Sequence, residues 1–292
     1  MDDYLIATDA TIDLSGELCE QLGVKVIPMR YMLDGQEYSY DPVSEVFDSE
    51  DFYGKLKKGL PISTTQITPA TYKDFFGEII KISKKIVYIC FSSGLSGTYN
   101  SAVIAADEIM DDDPECKIIV IDSVCACAGE GLLVYLSAQK KKEGMGFEEM
   151  AKYVEETKSQ INHWFVVGNL DQLKRGGRIN AVEATIGNLL SINPILSIDS
   201  EGKLKVVEKV RGMKKALNSI KERYIKYAYK DEPQTVMIAQ AGAMDYANIL
   251  ADMVRELEAV KEIIICDIGP IIGAHVGSPM CALIFKGENY KE

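Results

Sequence analysis

Apolar positions along the chain fall into two alternating periods. Short, nearly continuous runs rich in Ile and Val predict strands at residues 4–8, 86–91, 118–122, 165–168, 235–239 and 263–267. Several of these runs are uniformly apolar, as parallel strands covered on both faces are. Helical stretches follow many of them, and the spacing predicts helices over 71–81, 101–110, 129–142, 147–158 and 245–258. Alternation of this kind predicts an α/β fold. One region breaks it: residues 194–198 and 204–210 flank the turn Asp199-Ser200-Glu201-Gly202-Lys203 and read as a β-hairpin. The first half is therefore predicted as a mostly parallel α/β sheet and the second as a mixed α+β sheet. Residues 34–59 are acidic, with Tyr38, Tyr40, Phe47, Phe52 and Tyr53 spread through them, and read as an excursion over the surface. The charged helical stretch 147–158 ends just before Trp164, which predicts a boundary near 158–163 and domains at 1–160 and 161–292.

Length agrees with two domains, since 292 residues at roughly 150 per domain suffice for both. A hydrophobic share of 47% and a charged share of 26% describe a globular chain with a core large enough to hide a cavity. The net charge of −12 makes nucleic acid an unsuitable partner, because phosphate binding needs clustered Lys and Arg. No run of roughly 18 or more apolar residues predicts a membrane span. The opening MDDYLIATDAT lacks the basic region and cleavage site of a signal peptide. Seven irregularly spaced cysteines, an odd number, read as reduced, buried small hydrophobes of a cytoplasmic protein. Cys125 and Cys127 form a C-x-C pair with too few neighbouring ligands for a metal, so neither a metal nor a cofactor is expected.

Four motifs could carry chemistry. Ser92-Ser93-Gly94-Leu95-Ser96-Gly97-Thr98 joins a strand to a helix. Such a loop can cradle an anion on free backbone N–H groups, or it can simply cap the helix, and the motif alone leaves both open. Pro61-Ile62-Ser63-Thr64-Thr65-Gln66-Ile67-Thr68-Pro69 precedes another predicted helix and has the same two readings. Leu173-Lys174-Arg175-Gly176-Gly177-Arg178-Ile179 puts two arginines around a Gly-Gly turn, either as a carboxylate- or phosphate-binding fork or as a solvated turn. Residues 268–279 join two strands and hold His275, one of only two histidines; His163 stands outside any motif and reads as structural. No G-x-S-x-G, H-E-x-x-H, G-x-G-x-x-G, kinase signature or Walker A loop is present.

Taken in order, these motifs resemble the DegV family of bacterial fatty acid-binding proteins over essentially the whole chain. The resemblance begins at Thr8-Asp9-Ala10-Thr11-Ile12-Asp13-Leu14. It continues through Thr64-Thr65-Gln66, residues 92–99, Val120–Ser123 and residues 173–179, and closes at Ile268-Gly269-Pro270-Ile271-Ile272-Gly273-Ala274-His275. It implies two α/β domains with the ligand buried between them, and a carrier in place of an enzyme. A long-chain fatty acid such as palmitate, stearate or oleate would be presented to a separate fatty acid kinase. The resemblance places the carboxylate on Thr64 and Ser96, with Ser93, Gly97, Thr98 and His275 near the same end. It makes Arg175, Arg178 and Arg211 candidates for kinase docking. Thr65, Asn193 and Val276 depart from the family pattern and bear on head-group or kinase contacts.

A carrier is physically reasonable. At about 0.8 kcal/mol per methylene, a chain of roughly 14 methylenes gains on the order of 11 kcal/mol gross on burial. The carboxylate is the costly part and needs several donors. Two other readings compete. The architecture also resembles the substrate-binding subunit of dihydroxyacetone kinases, in which His275 would hold a small ketone in a short polar hole. The third is an interaction module with an empty cleft.

Overall fold

In the computed structural model, which describes residues 3–44, 46–179 and 192–289, the alternation resolves into three sheets. The chain runs β1 (Leu5–Asp9), α1 (Gly16–Leu22), β2 (Lys25–Ile27), β3 (Met29–Leu33), β4 (Gln36–Tyr40), α2 (Ser49–Lys57), β5 (Ile62–Thr65), α3 (Pro69–Ile80), β6 (Lys85–Cys90), α4 (Thr98–Asp112), β7 (Lys117–Asp122), α5 (Ala128–Lys142) and α6 (Phe147–Thr157). It continues through β8 (Ile161–Val167), α7 (Asp171–Arg175), β9 (Ile192–Ile198), β10 (Leu204–Arg211), α8 (Met213–Tyr227), β11 (Gln234–Ala241), α9 (Met244–Arg255), β12 (Val260–Asp267), α10 (Pro270–Val276) and β13 (Met280–Lys286). An N-terminal sheet, β2-β1-β6-β7, is parallel throughout. The C-terminal sheet is mixed, in the order β10-β9-β8-β13-β11-β12, and includes the predicted hairpin as β9–β10. A small antiparallel sheet, β4-β3-β5, was not foreseen.

Period-two alternation divides each central strand between two cores. In β8, Phe165 and Val167 face the space between the two large sheets, while Trp164 and Val166 face α8 and α9. In β6, Val87 and Ile89 face inward, and Ile86 and Tyr88 pack beneath α3 and α4. Helix α3 shows why such a cover forms. Thr68 caps it by accepting the N–H of Thr71, Pro69 occupies the first turn, and Tyr72, Phe76 and Ile79 make one buried stripe. Helix α5 is different: it lies between the sheets, touching β1 and β6 on one side and β8, β11 and β13 on the other. Its first seven residues, Ala128 to Val134, are all buried.

One expectation needs correcting. Residues 34–59 are not a surface excursion, because Tyr40, Phe52 and Tyr53 are buried within β4 and α2. The acidic residues next to Phe52 serve the start of α2: Asp48 caps it, and Glu50 and Asp51 sit in its first turn, where the helix dipole favours them. Residues 268–279 join β12 to β13 as expected, and α10 forms within them with Pro270 in its first turn.

Helix α5 also carries the fully buried Glu130. Thr8 Oγ1 donates to one of its oxygens at 2.9 Å. Thr11 Oγ1 lies 2.8 Å from the other and 2.5 Å from Asp9 Oδ1. One hydroxyl has one hydrogen to give and cannot satisfy two carboxylates. Asp9 is the better anion, since it also accepts the N–H groups of Thr11 and Phe91 at 3.0 and 3.1 Å. Thr11 therefore donates to Asp9 and accepts from a protonated Glu130. Burial, then the Asp9 charge, pushes Glu130 well above the usual carboxylate range. For a raised acid the stabilisation is complete below the unfolded value, here 4.5, and is lost as pH rises through the folded value. The melting temperature should thus fall as pH climbs from 4.5 towards the raised folded value. It should fall less steeply in Glu130→Gln, which keeps both hydroxyl partners and has no proton to lose. Parallel slopes in the two proteins would show that Glu130 is ionised in the fold.

Candidate functional site

A cavity of about 190 Å³ lies between the parallel sheet and the mixed sheet. By the same measure a water needs about 10–15 Å³, so the space has room for more than a single water. Most of its wall is apolar, including Phe91 and Leu95 from one side and Phe165, Ala282 and Ile284 from the other. Polar groups gather at one end, where β5, the β6–α4 loop, the segment after α7 and α10 meet.

Thr64 reaches this end from a strand, not from a cap. It is the third residue of β5, opposite Tyr31 of β3, and the cap of α3 is Thr68. Its Oγ1 lies 2.8 Å from His275 Nε2. Ser96 comes from the β6–α4 loop. It accepts the Thr98 N–H at 3.3 Å, and its Oγ lies 2.7 Å from Thr98 Oγ1. If Thr98 donates that bond, the Ser96 hydroxyl hydrogen is free to point into the cavity. The helix behind it starts at Gly97 with no side-chain cap. A β-carbon on Gly97 would come within 2.7 Å of Gln66 Oε1, so glycine lets the loop approach β5.

Arg178 follows the Gly-Gly turn, where Gly177 has φ +71°. It is half-buried, with Nε donating to Leu95 O at 3.1 Å and Nη1 to Gly176 O at 2.5 Å. Two of its five donors are thereby engaged. Among the described lining residues it alone carries a formal charge at neutral pH. His275 is its electrostatic neighbour. Burial, and secondarily the Arg178 charge, lowers the imidazole from 6.5 to about 4. Its Nδ1 is buried with no hydrogen-bond partner in the described residues. A β-carbon on Gly176 would overlap Nδ1, so this glycine makes room for the ring.

The other predicted site residues disperse. Ser93 is exposed, and both its N–H and its hydroxyl bond to Asp122, away from the cavity wall. Thr98 is buried behind Ser96, and Gly97 lines the cavity. Arg175, at the end of α7, and Arg211, at the end of β10, are both exposed. Of the three arginines, Arg178 alone lines the cavity, where the resemblance had suggested a docking face. Of the departures, Thr65 and Val276 line the cavity, and Asn193 pairs with Val210 in the hairpin. Gln66, Thr11 and His163 line it unforeseen. Gln66 was legible in principle, since it stands two residues after Thr64. The two arginines around the Gly-Gly turn marked Arg178 as a possible carboxylate fork, and nothing local marks His163. All seven cysteines are buried and free, and no His/Cys/Asp/Glu cluster suited to a metal occurs among the described residues. No described helix is long and apolar enough to cross a membrane.

The sequence profile described as an uncharacterised protein of the DegV family matches residues 4–288. The chain belongs to the DegV family. A DegV domain-containing protein of Clostridium perfringens is 38% identical over 288 residues, covering 99% of each chain. Among solved structures, DegV from Bacillus subtilis, described as a fatty acid binding protein, is 27% identical with a TM-score of 0.85, covering 99% of this chain and 100% of that one. A DegV lipid binding protein from Thermotoga maritima is 26% identical with a TM-score of 0.86, covering 99% of each chain.

In this DegV-family chain His275 should stay neutral well below the usual histidine range. An NMR titration of the unliganded protein should place its ring midpoint near 4. A midpoint near 6.5 would mean that solvent reaches the ring. The sign for stability is fixed as well: a lowered histidine removes stability as pH falls from 6.5 towards 4.

Proposed function

We propose that the chain binds a long-chain fatty acid in this cavity and presents its carboxylate to a separate fatty acid kinase, in a cytoplasmic setting. The observation that carries the binding is the cavity's charge pattern: an apolar wall with Arg178 as the one formal charge among the described lining residues, beside the hydroxyls of Thr64 and Ser96. That pattern fits an anionic head on an apolar tail. Bacillus subtilis DegV and its Thermotoga relative, described as fatty acid- and lipid-binding, support the same ligand class. A triose site would need a short polar hole, and the apolar wall disfavours it. We place the ligand between two domains, at 1–160 and 161–292.

Each polar group has a separate task. With Nε2 protonated, neutral His275 donates to Thr64 Oγ1, so the threonine hydrogen is free to meet the carboxylate. This tautomer also leaves a lone pair on Nδ1, which suits a ring lying near the Arg178 cation. Ser96 supplies the second hydroxyl, and Arg178 offsets the charge. A buried carboxylate without such partners costs several kcal/mol. The head group lies where the segment after α7 meets α10, and exposed Arg175 ends α7. We assign Arg175 and Arg211 to kinase docking.

Hydrogen bonds to a charged group are worth roughly 1.5–3 kcal/mol. Thr64→Val and Ser96→Ala should each weaken fatty acid binding about 10- to 100-fold, at about 1.4 kcal/mol per decade. The double variant should lose less than the sum, because both groups grip one carboxylate. Fatty acid titrations with melting curves check this, and unchanged affinity in both single variants would put the head group elsewhere. The kinase step is tested separately. The chain with ATP alone should form no acyl-phosphate, and adding a fatty acid kinase should restore formation; turnover by the isolated chain would overturn the carrier role.

A further inference from the structure

The cavity's far end is closed by a residue that no motif singled out. On β13, Met280, Ala282 and Ile284 line the cavity, and on β8 Phe165 and His163 do. The register pairs Met280 with Val167, Ala282 with Phe165 and Ile284 with His163. From the level of Met280 to that of Ile284 is about 13 Å, at roughly 3.3 Å per residue. His275 and the other head-group residues lie near the Met280 end, because α10 leads directly into β13. The next pair on this face, Ile161 and Lys286, does not line the cavity. His163 therefore stands where the methyl end of an acyl chain would stop.

The ring is held as a wall. Its Nδ1 lies 3.2 Å from Ile161 O, and its Nε2 lies 3.4 Å from the Ala126 N–H. These partners give Nδ1 the hydrogen and make Nε2 the acceptor, so both nitrogens are committed to the backbone. A neutral imidazole so fixed meets a ligand as volume, not as a donor. Its seat depends on Gly129 in the first turn of α5, since a β-carbon there would overlap His163 Nε2. Without that glycine the ring would be forced forward into the cavity.

Resting on the fatty acid reading above, we propose that His163, seated against Gly129, is the tail stop that sets which acyl length the cavity accepts. The test is competition among saturated fatty acids from lauric to arachidic, read by native mass spectrometry on the full chain. His163→Ala should move the preferred length up by about one or two methylenes, with relative affinity for the longer homologue rising about fourfold per methylene. Gly129→Ala should move it down. Ile284→Ala opens the same end from the neighbouring strand and should also lengthen the preference, which keeps the test decisive if His163→Ala fails to fold. Thr64→Val should weaken every length alike. Enlarging variants that fold and keep the wild-type length profile would overturn the proposal. Failure of the unmutated protein to bind any fatty acid would instead overturn the carrier reading.

Discussion

The site depends on a helix whose first two turns have no solvent face. Helix α5 lies between the two large sheets, and its girth sets their separation. A helix buried on all sides must be apolar or fully satisfied around its circumference, and Glu130 meets that demand through two threonines and a proton. The gap continues past the start of the helix, where the chain carries only small side chains from Cys125 to Gly129. Sheets held apart by a helix and then deprived of it leave a void, and the ligand cavity is bounded there by Ala126 and Cys127. The approach is strained: Val124 and Cys127 both have positive φ, at 47° and 46°. Non-glycine residues hold such conformations only where their surroundings impose them, and such positions cluster at binding sites.

A void of this kind selects its contents by what it leaves unpaired. The wall offers dispersion and no partner to most of a ligand, while Arg178 brings a charge that burial makes costly to hold alone. An anion entering beside it relieves that cost, and the neutral state of His275 avoids a second buried cation. The hydroxyls are fixed by the fold, one by a strand and one by a loop braced on its following helix.

The elements that position the proposed head-group residues are held from a distance. Helix α10, which carries His275, begins at Gly269, whose N–H donates to Asp13 at 2.8 Å. Tyr53 of α2 donates to Ile268 O at 2.6 Å, one residue earlier. Gly273 has no side chain, which lets the Phe52 and Tyr53 rings lie against the helix. The small antiparallel sheet and α2, both absent from the strand pattern, thus carry Thr64 and brace His275. A loop braced in this way keeps hydroxyl, imidazole and guanidinium in fixed relation, as preorganised recognition of a carboxylate demands.

What the chain determined by itself was periodic or ordered. Uniform apolar runs marked the parallel strands, 3.6-residue stripes marked α3, α6 and α9, and the Gly-containing turn marked the hairpin. The succession of motifs marked the family, with Thr64, Ser96 and His275 in it. These signals are local, so a short window contains them. What the tertiary structure decided was every matter of direction. Phe52 and Tyr53 read as surface because their neighbours are acidic, yet those acids serve a helix start while the rings pack on α10. Ser93 and Ser96 are alike in sequence, and the fold turns one to Asp122 and the other to the cavity. Arg175 and Arg178 flank one turn, and only the second turns inward. His163 looked structural, and it also lines the cavity, because its strand faces Gly129 in the first turn of α5. Direction depends on which surfaces meet across hundreds of residues, and no local pattern records that.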